Sequence, residues 1–254
     1  MNRITLGALA LVGPMSVTPV AMAQETRQVP PPLHYAVHHV STPPAMDGRL
    51  DDPAWSKAEW TSDFVDILGG SAPTPKYKTR VKMLWDDKNL YIAAELEEPN
   101  VHAKLTEHDS VIFHDDDFEF FIKPVVDGES YYEFEMNALN TTWDLFLNKP
   151  YRFGGKADNS WEATGLKSAV HVNGTLNQPD DTDRGWTLEI ALPLNSFASR
   201  QQVTLPGNGT TWRINFSRVE WLPGHEHEEN WVWSPQGVVN MHVPEQWGYL
   251  DFRK

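Results

Sequence analysis

The chain has 254 residues, 35 acidic against 21 basic, a formal charge of −14, and no cysteine. No basic cluster offsets that excess, which excludes nucleic acid and anionic membrane surfaces as partners; calcium and neutral sugars fit better. Without disulfides the fold must rest on its apolar core, and 11 Trp, 11 Phe and 7 Tyr are enough to build one.

Residues 1–23 read as a secretory signal peptide. Arg3 supplies the basic start, residues 4–12 an apolar run, and Ala21-Met22-Ala23 a small-x-small cleavage site. Loss of Arg3 takes the formal charge from −14 to −15. No later run reaches the roughly 18 apolar residues of a membrane span. The expectation is a soluble protein, periplasmic or secreted, without membrane insertion. Residues 24–34, with Pro30, Pro31 and Pro32, read as a proline-rich leader. Residues 35–254 then form one domain.

That domain reads as a succession of short strands, beginning with residues 35–40. Asp51 or Asp52 ahead of Pro53 suits the start of one helical turn, seated on the core by Trp55 and Trp60. Val81, Met83 and Trp85 alternate with polar neighbours, residues 86–89 turn, and Leu90, Ile92, Ala94 and Leu96 return. The central stretch repeats the pattern. Phe118, Phe120 and Ile122 alternate with Asp117, Glu119 and Phe121; Asp127-Gly128 supplies a tight turn; Tyr132, Phe134 and Met136 alternate with Glu133, Glu135 and Asn137. Further strands are expected at 143–147, 165–172, 186–192, from Trp212, at 231–233 and at 247–252, with glycine-rich loop at 151–158 and a helical turn at 194–197. Sustained helical periodicity is absent. Roughly ten strands spaced by turn signals predict an all-β fold, an antiparallel β-sandwich or jelly roll with one or two short helical turns.

If the apolar rows of the central hairpin face the core, its other face gathers Glu119, Glu133, Glu135 and Asn137 beside Phe121. Carboxylates and an amide accept hydroxyl protons and a ring stacks on the C–H face of a sugar; the alternative is a solvated face that serves solubility. The irregular loop 234–242 offers Asn240, Met241 and His242. Asp47 and Asp51 in one compact turn, and Asp115 and Asp116 in one acidic run, offer hard oxygens for calcium. The tract His225-Glu226-His227-Glu228-Glu229 reads as a solvated loop or a zinc or copper site. Trp143, Trp231 and Trp233 read as core, and Arg218 as a buried or cross-sheet ion pair.

The ordered set Met46-Asp47-Gly48-x-Leu50-Asp51-Asp52-x-x-Trp55, Val81-x-Met83-Leu84-Trp85-Asp86-Asp87-x-x-Leu90-Tyr91-Ile92, Asp116-Asp117-Phe118-Glu119-Phe120-Phe121-Ile122, Phe134-x-Met136-Asn137, Gly185-Trp186-Thr187-Leu188-Glu189-Ile190-Ala191-Leu192-Pro193 and Trp247-Gly248-x-Leu250 resembles family 9 carbohydrate-binding modules. The resemblance covers roughly residues 36–252. It implies a β-sandwich with structural calcium that binds glycan ends without catalysis, alongside a secreted or periplasmic glycan-degrading partner. It also implies a ligand clamp with Phe113 and Met241 standing where sugar-binding members carry Trp, and Glu119 and Asn137 as polar contacts; Glu135 stands where the family is expected to carry arginine and is a candidate contact from its sheet face. Two other readings stand beside it. One is a glycoside hydrolase using Glu119 and Glu135 as its carboxylate pair. The other is a haem-binding electron-transfer domain with Met241 or a nearby histidine as axial ligand.

Overall fold

A computed structural model describes residues 29–70 and 72–254; the signal-peptide reading and the first part of the leader lie outside them. Thirteen strands form: β1 (His34–His39), β2 (Val65–Asp66), β3 (Thr79–Trp85), β4 (Asn89–Glu97), β5 (Asp117–Lys123), β6 (Tyr131–Asn137), β7 (Thr142–Leu147), β8 (Ala157–Asp158), β9 (Lys167–Asn173), β10 (Gly185–Pro193), β11 (Thr211–Glu220), β12 (Glu229–Val232) and β13 (Gly248–Arg253). The helical elements among the described residues are short 3-10 turns at Pro53–Lys57, Ile112–His114, Tyr151–Phe153 and Ser196–Ser199. No helix there is long and apolar enough to cross a membrane.

Eleven strands follow one hydrogen-bonded path, β8-β7-β6-β5-β11-β13-β1-β3-β4-β10-β9, and β12 joins β11 to β2 off that path. The path has two flanks. Phe118, Phe120 and Ile122 (β5), Phe134 (β6) and Phe216 (β11) come from one; Val81 and Met83 (β3), Ile92 (β4) and Ile190 (β10) come from the other. All pack into the same core cluster. Side chains of one face alternate along each strand, so distant strands share a core only if the sheet curls over on itself. The result is an all-β domain built on an open, curled sheet.

The central strands keep the expected faces. The register sets Asp117 opposite Asn137, Glu119 opposite Glu135 and Phe121 opposite Glu133, all on the side away from the main core. A turn forms at Asp127-Gly128 as expected, but inside a longer connection and without positive φ at the glycine. Residues 124–130 form a long connection, Gly128 N–H donates to Val125 O at 3.0 Å, and Gly128 is not among the glycines at positive φ. The alternating rows, not a tight turn, therefore hold the register. The expected wholly antiparallel sheet is also corrected, because β1 runs parallel to both β13 and β3. The long return through residues 40–78 supplies the crossover that a parallel pair requires.

The aspartate-rich segment 46–55 is held by a carboxylate from elsewhere. Glu189 on β10 accepts from the amides of Asp47 (2.9 Å) and Gly48 (2.7 Å) and from the Trp55 indole (2.6 Å). Asp52 caps the following turn by accepting from Ala54 N–H, with Pro53 at its first position. Trp55 is buried, whereas Trp60 is only half-buried and takes Arg80 and Lys82 on its ring face.

Candidate functional site

The outward face of β5 and β6 continues onto β7 and β11. Trp143 and Leu145 of β7 stand opposite Glu135 and Glu133, and Ser217 and Val219 of β11 stand opposite Glu119 and Asp117. Loops close over this face and leave a cleft of about 350 Å³. Glu119, Phe121, Glu133 and Glu135 lie at its base; Phe113, Trp143, Tyr151, Glu228, Asn230 and residues 239–242 surround them.

Phe113 is aimed by the 3-10 turn that carries it. Its N–H donates to Glu135 Oε2 at 3.0 Å, and its carbonyl accepts from the Trp221 indole at 2.9 Å. Its ring lies 6.5 Å from that of Trp143, inclined by 33°, so the two make one apolar wall. Across the cleft, Met241 packs in a second apolar cluster with Phe121, Tyr131 and Trp247, and its carbonyl accepts from the Trp247 indole at 2.9 Å. Asn240 accepts from His242 N–H at 2.8 Å. His242 bonds the Tyr131 hydroxyl at 2.8 Å and meets the Tyr151 ring edge-on. Arg152 fixes this loop by donating to the His242 carbonyl and to Glu245.

The base of the cleft is electrostatically unusual. Burial pushes the Glu119 carboxyl up to about 7; the nearby Ser217 hydroxyl acts against that shift and Glu228 adds to it. Asp117, Glu133 and Glu135 lie well above the ordinary carboxylate range, first through burial and then through the negative charge of Glu119. His242 is lowered to about 4 by burial and by Arg152. Three of these buried carboxyls, Asp117, Glu119 and Glu135, bring one oxygen each within 4.8 Å of the others.

Five of the six residues expected to contact a ligand meet at this cleft: Phe113, Glu119, Glu135, Asn240 and Met241. Asn137 does not line it. Its amide nitrogen donates to Leu105 O and Asp115 Oδ2, and its oxygen accepts from Leu139 and Thr141 N–H, so local structure uses the whole group. The four aspartates read as calcium ligands do not converge. Asp47 and Asp51 are exposed, and Asp47 accepts from Arg49 N–H in its own turn. Asp115 Oδ2 accepts from Lys104 and Leu105 N–H as well as Asn137, and Asp116 accepts from Trp221 N–H and pairs with His102 at 2.9 Å. In the tract 225–229, His225 pairs with Glu229 at 3.2 Å on an exposed loop, and Glu228 reaches the cleft. Tyr151 carried no pattern in the sequence, and Glu228 stood only in the tract read as a solvated loop or a zinc or copper site. Trp143, read as core, instead lines the cleft half-buried, because on β7 it stands opposite Glu135 on the outward face and not with Phe134.

A model of the family described as carbohydrate family 9 binding domain-like matches residues 46–251. Exoglucanase XynX of Acetivibrio thermocellus is 28% identical over 154 residues, 61% of this chain and 12% of its own length. The chain therefore spans about an eighth of that curated relative. Among solved structures, a Bacteroides uniformis ATCC 8492 protein matches with TM-score 0.65 and 19% identity, over 87% of this chain and 99% of its own. A family 9 carbohydrate-binding module of Caldicellulosiruptor kristjanssonii, solved with cellotriose, matches with TM-score 0.59 and 18% identity, over 87% and 93%. At these identities the structures speak for the fold, and the family model for membership: the chain belongs to the carbohydrate family 9 binding domain-like family.

Proposed function

We propose that the cleft binds a glycan, or the end of one, non-covalently and without catalysis. One observation carries the reading: an aromatic wall, Phe113 with Trp143, stands over a base of carboxylates in a cleft of about 350 Å³. Aromatic rings cover the C–H faces of a pyranose, and Glu119, Glu135, Asn230 and Asn240 accept from its hydroxyls. Met241 adds a soft apolar edge. The cellotriose complex of the Caldicellulosiruptor module makes β-1,4-linked glucose oligomers the first probes. Each exchanged hydrogen bond contributes little net energy in a shallow site, so affinity should be weak to moderate.

Isothermal titration with cellotriose and xylotriose tests this. Phe113→Ala and Trp143→Ala should each weaken binding at least about tenfold, roughly 1.4 kcal/mol, with an unchanged melting temperature. Binding equal to wild type in both variants places the site elsewhere, and reducing-sugar release by the purified chain overturns the non-catalytic reading. The two flanks of the curled sheet, sharing one core, support a two-layer β-sandwich as the finer description of the fold. The residue 1–23 pattern supports export to the periplasm or beyond, where a glycan-degrading enzyme is the expected partner.

A further inference from the structure

We propose that Asp117, Glu119 and Glu135 hold one hard divalent cation of the calcium type beneath the cleft, and that sugar hydroxyls complete its shell. One carboxylate oxygen from each residue lies within 4.8 Å of the others. Calcium–oxygen distances of about 2.3–2.6 Å put opposite ligands about 4.6–5.2 Å apart, so the three oxygens already span one cation.

Unpartnered groups lie on the same sheet face. Asp117 Oδ2, Glu119 Oε2 and Ser217 Oγ complete no hydrogen bond, although Asp117 and Ser217 are 0% exposed and Glu119 4%. Ser217 is not acidic. It stands directly opposite Glu119 on β11 and therefore on the same sheet face, so the cluster gathers a neutral hard oxygen as well. Buried polar groups in folded proteins find partners, and three unpartnered ones on one sheet face call for a common cause. The other oxygens of two carboxylates are pinned. Asp117 Oδ1 accepts from Val219 N–H at 3.1 Å and Glu135 Oε2 from Phe113 N–H at 3.0 Å, the outer contacts that orient metal ligands.

Two other carboxylate groupings among the described residues are already supplied with charge. In the group Glu98, Asp116 and Glu220, Arg218 lies 2.5 Å from Glu98 and 2.6 Å from Glu220, and His102 lies 2.9 Å from Asp116. Asp109 and Asp144 lie around His108, which is 3.1 Å from Glu162. At the cleft base the charged neighbours of Glu135 are carboxylates alone. Glu119 and Glu135 line the cleft, so a cation between them presents its open side to whatever occupies it.

The sugar contact rests on the carbohydrate reading above; the cation does not, and the experiment separates them. The full chain is stripped with EDTA, desalted and titrated calorimetrically with calcium chloride alone. Terbium luminescence, sensitised by nearby aromatic rings, gives a second readout. One site is expected, with Asp117→Asn, Glu119→Gln and Glu135→Gln each weakening calcium at least tenfold while melting as folded proteins. Neither calcium heat nor terbium luminescence from folded wild type overturns the cation and leaves shared protons to hold the carboxyls together. Calcium affinity unchanged in all three variants overturns the site. Cellotriose is then titrated in calcium and in EDTA. A tenfold loss in EDTA supports the shared shell, and equal binding in both overturns it while keeping the carbohydrate reading. Calcium binding with no cellotriose binding in either buffer supports the cation and overturns the carbohydrate reading.

Discussion

Arg218 is 1% exposed, yet every contact it makes is specific. It donates to Glu98 and Glu220, to the Thr79 hydroxyl at 3.2 Å and to the Glu97 carbonyl at 2.7 Å, and its guanidinium lies over the Trp231 ring. The residue thus ties β11 to β3 and β4, on opposite flanks of the sheet. Burial pushes Glu220 up to about 9 even though Arg218 draws it down. Arg218→Met keeps the stem but leaves two buried carboxyls without a counter-charge. Losing one partner of a buried pair costs about 3–5 kcal/mol, measurable as a lower urea midpoint; a loss below about 1 kcal/mol would mean the network is inert. Asp144 makes a pH prediction. Burial first, then Glu162 and Asp109, push its carboxyl up to about 6, against the opposing effects of Ala163 N–H and His108. The folded state therefore holds this proton more tightly than the unfolded chain. Its contribution is complete below the unfolded value of 3.8 and is lost as pH rises through about 6. Relative to wild type, Asp144→Asn should be level below about pH 4 and gain up to about 3 kcal/mol by pH 7, at about 1.4 kcal/mol per unit. Urea titrations across that range that show a constant difference would contradict it.

The segment 46–55 shows how an element is built from a distant contact. Glu189, buried on β10, accepts from two of its amides and one indole, and Gly48 sits at φ +82° with room for no side chain: a Cβ there would stand 2.6 Å from the Val170 carbonyl carbon. Glu189→Ala orphans three donors, two of them buried, and should cost about 2–4 kcal/mol. Hydrogen exchange should speed up first at the Asp47 and Gly48 amides; unchanged protection there would refute the assignment. In the sequence this segment and Glu189 stand out as separate motifs, and nothing local says that they touch. The central hairpin was more legible, because alternation over β5 and β6 decides which side chains share a face whatever the turn does. Asp127-Gly128 marked a turn that forms, but a turn dipeptide does not state the length of its connection, and Gly128 takes its place there without positive φ. β2 and β8 have two residues each, too few for any period to register. Asn137 lies on the predicted face, but its partners come from residues 105, 115, 139 and 141, and only the folded loops reveal that they consume it.

At the scale of the molecule the question is whether the two flanks fold as one. Their junction is narrow. β1 pairs with β13 along five residues but with β3 at only two, His38 with Leu84 and His39 with Trp85. Other contacts bridge the same seam. The Trp85 indole donates to Arg253 O at 3.1 Å and meets Phe252 edge-on at 5.2 Å, Tyr35 hydroxyl links the Glu59 carbonyl to the Met83 amide, and Arg218 spans the flanks. Beneath them the core is continuous, with aromatic side chains of β5, β6 and β11 in the same cluster as the aliphatic rows of β3, β4 and β10. Parallel β1 and this shared core depend on contacts between distant parts of the chain, which explains why alternation named the strands but not their neighbours. A narrow ladder alone would let one flank open without the other, whereas a shared core makes each flank's apolar surface depend on its partner. The core should win, because removing one flank exposes side chains of the other at about 25 cal/mol per Å² of apolar area. Tryptophan fluorescence and far-UV ellipticity should therefore report one coincident urea transition. Val37→Ala, fully buried at the seam, should lower the midpoint by the equivalent of about 1.5–3 kcal/mol without broadening it. Independent flanks would behave differently: the two probes would separate, and Val37→Ala would widen the gap between them.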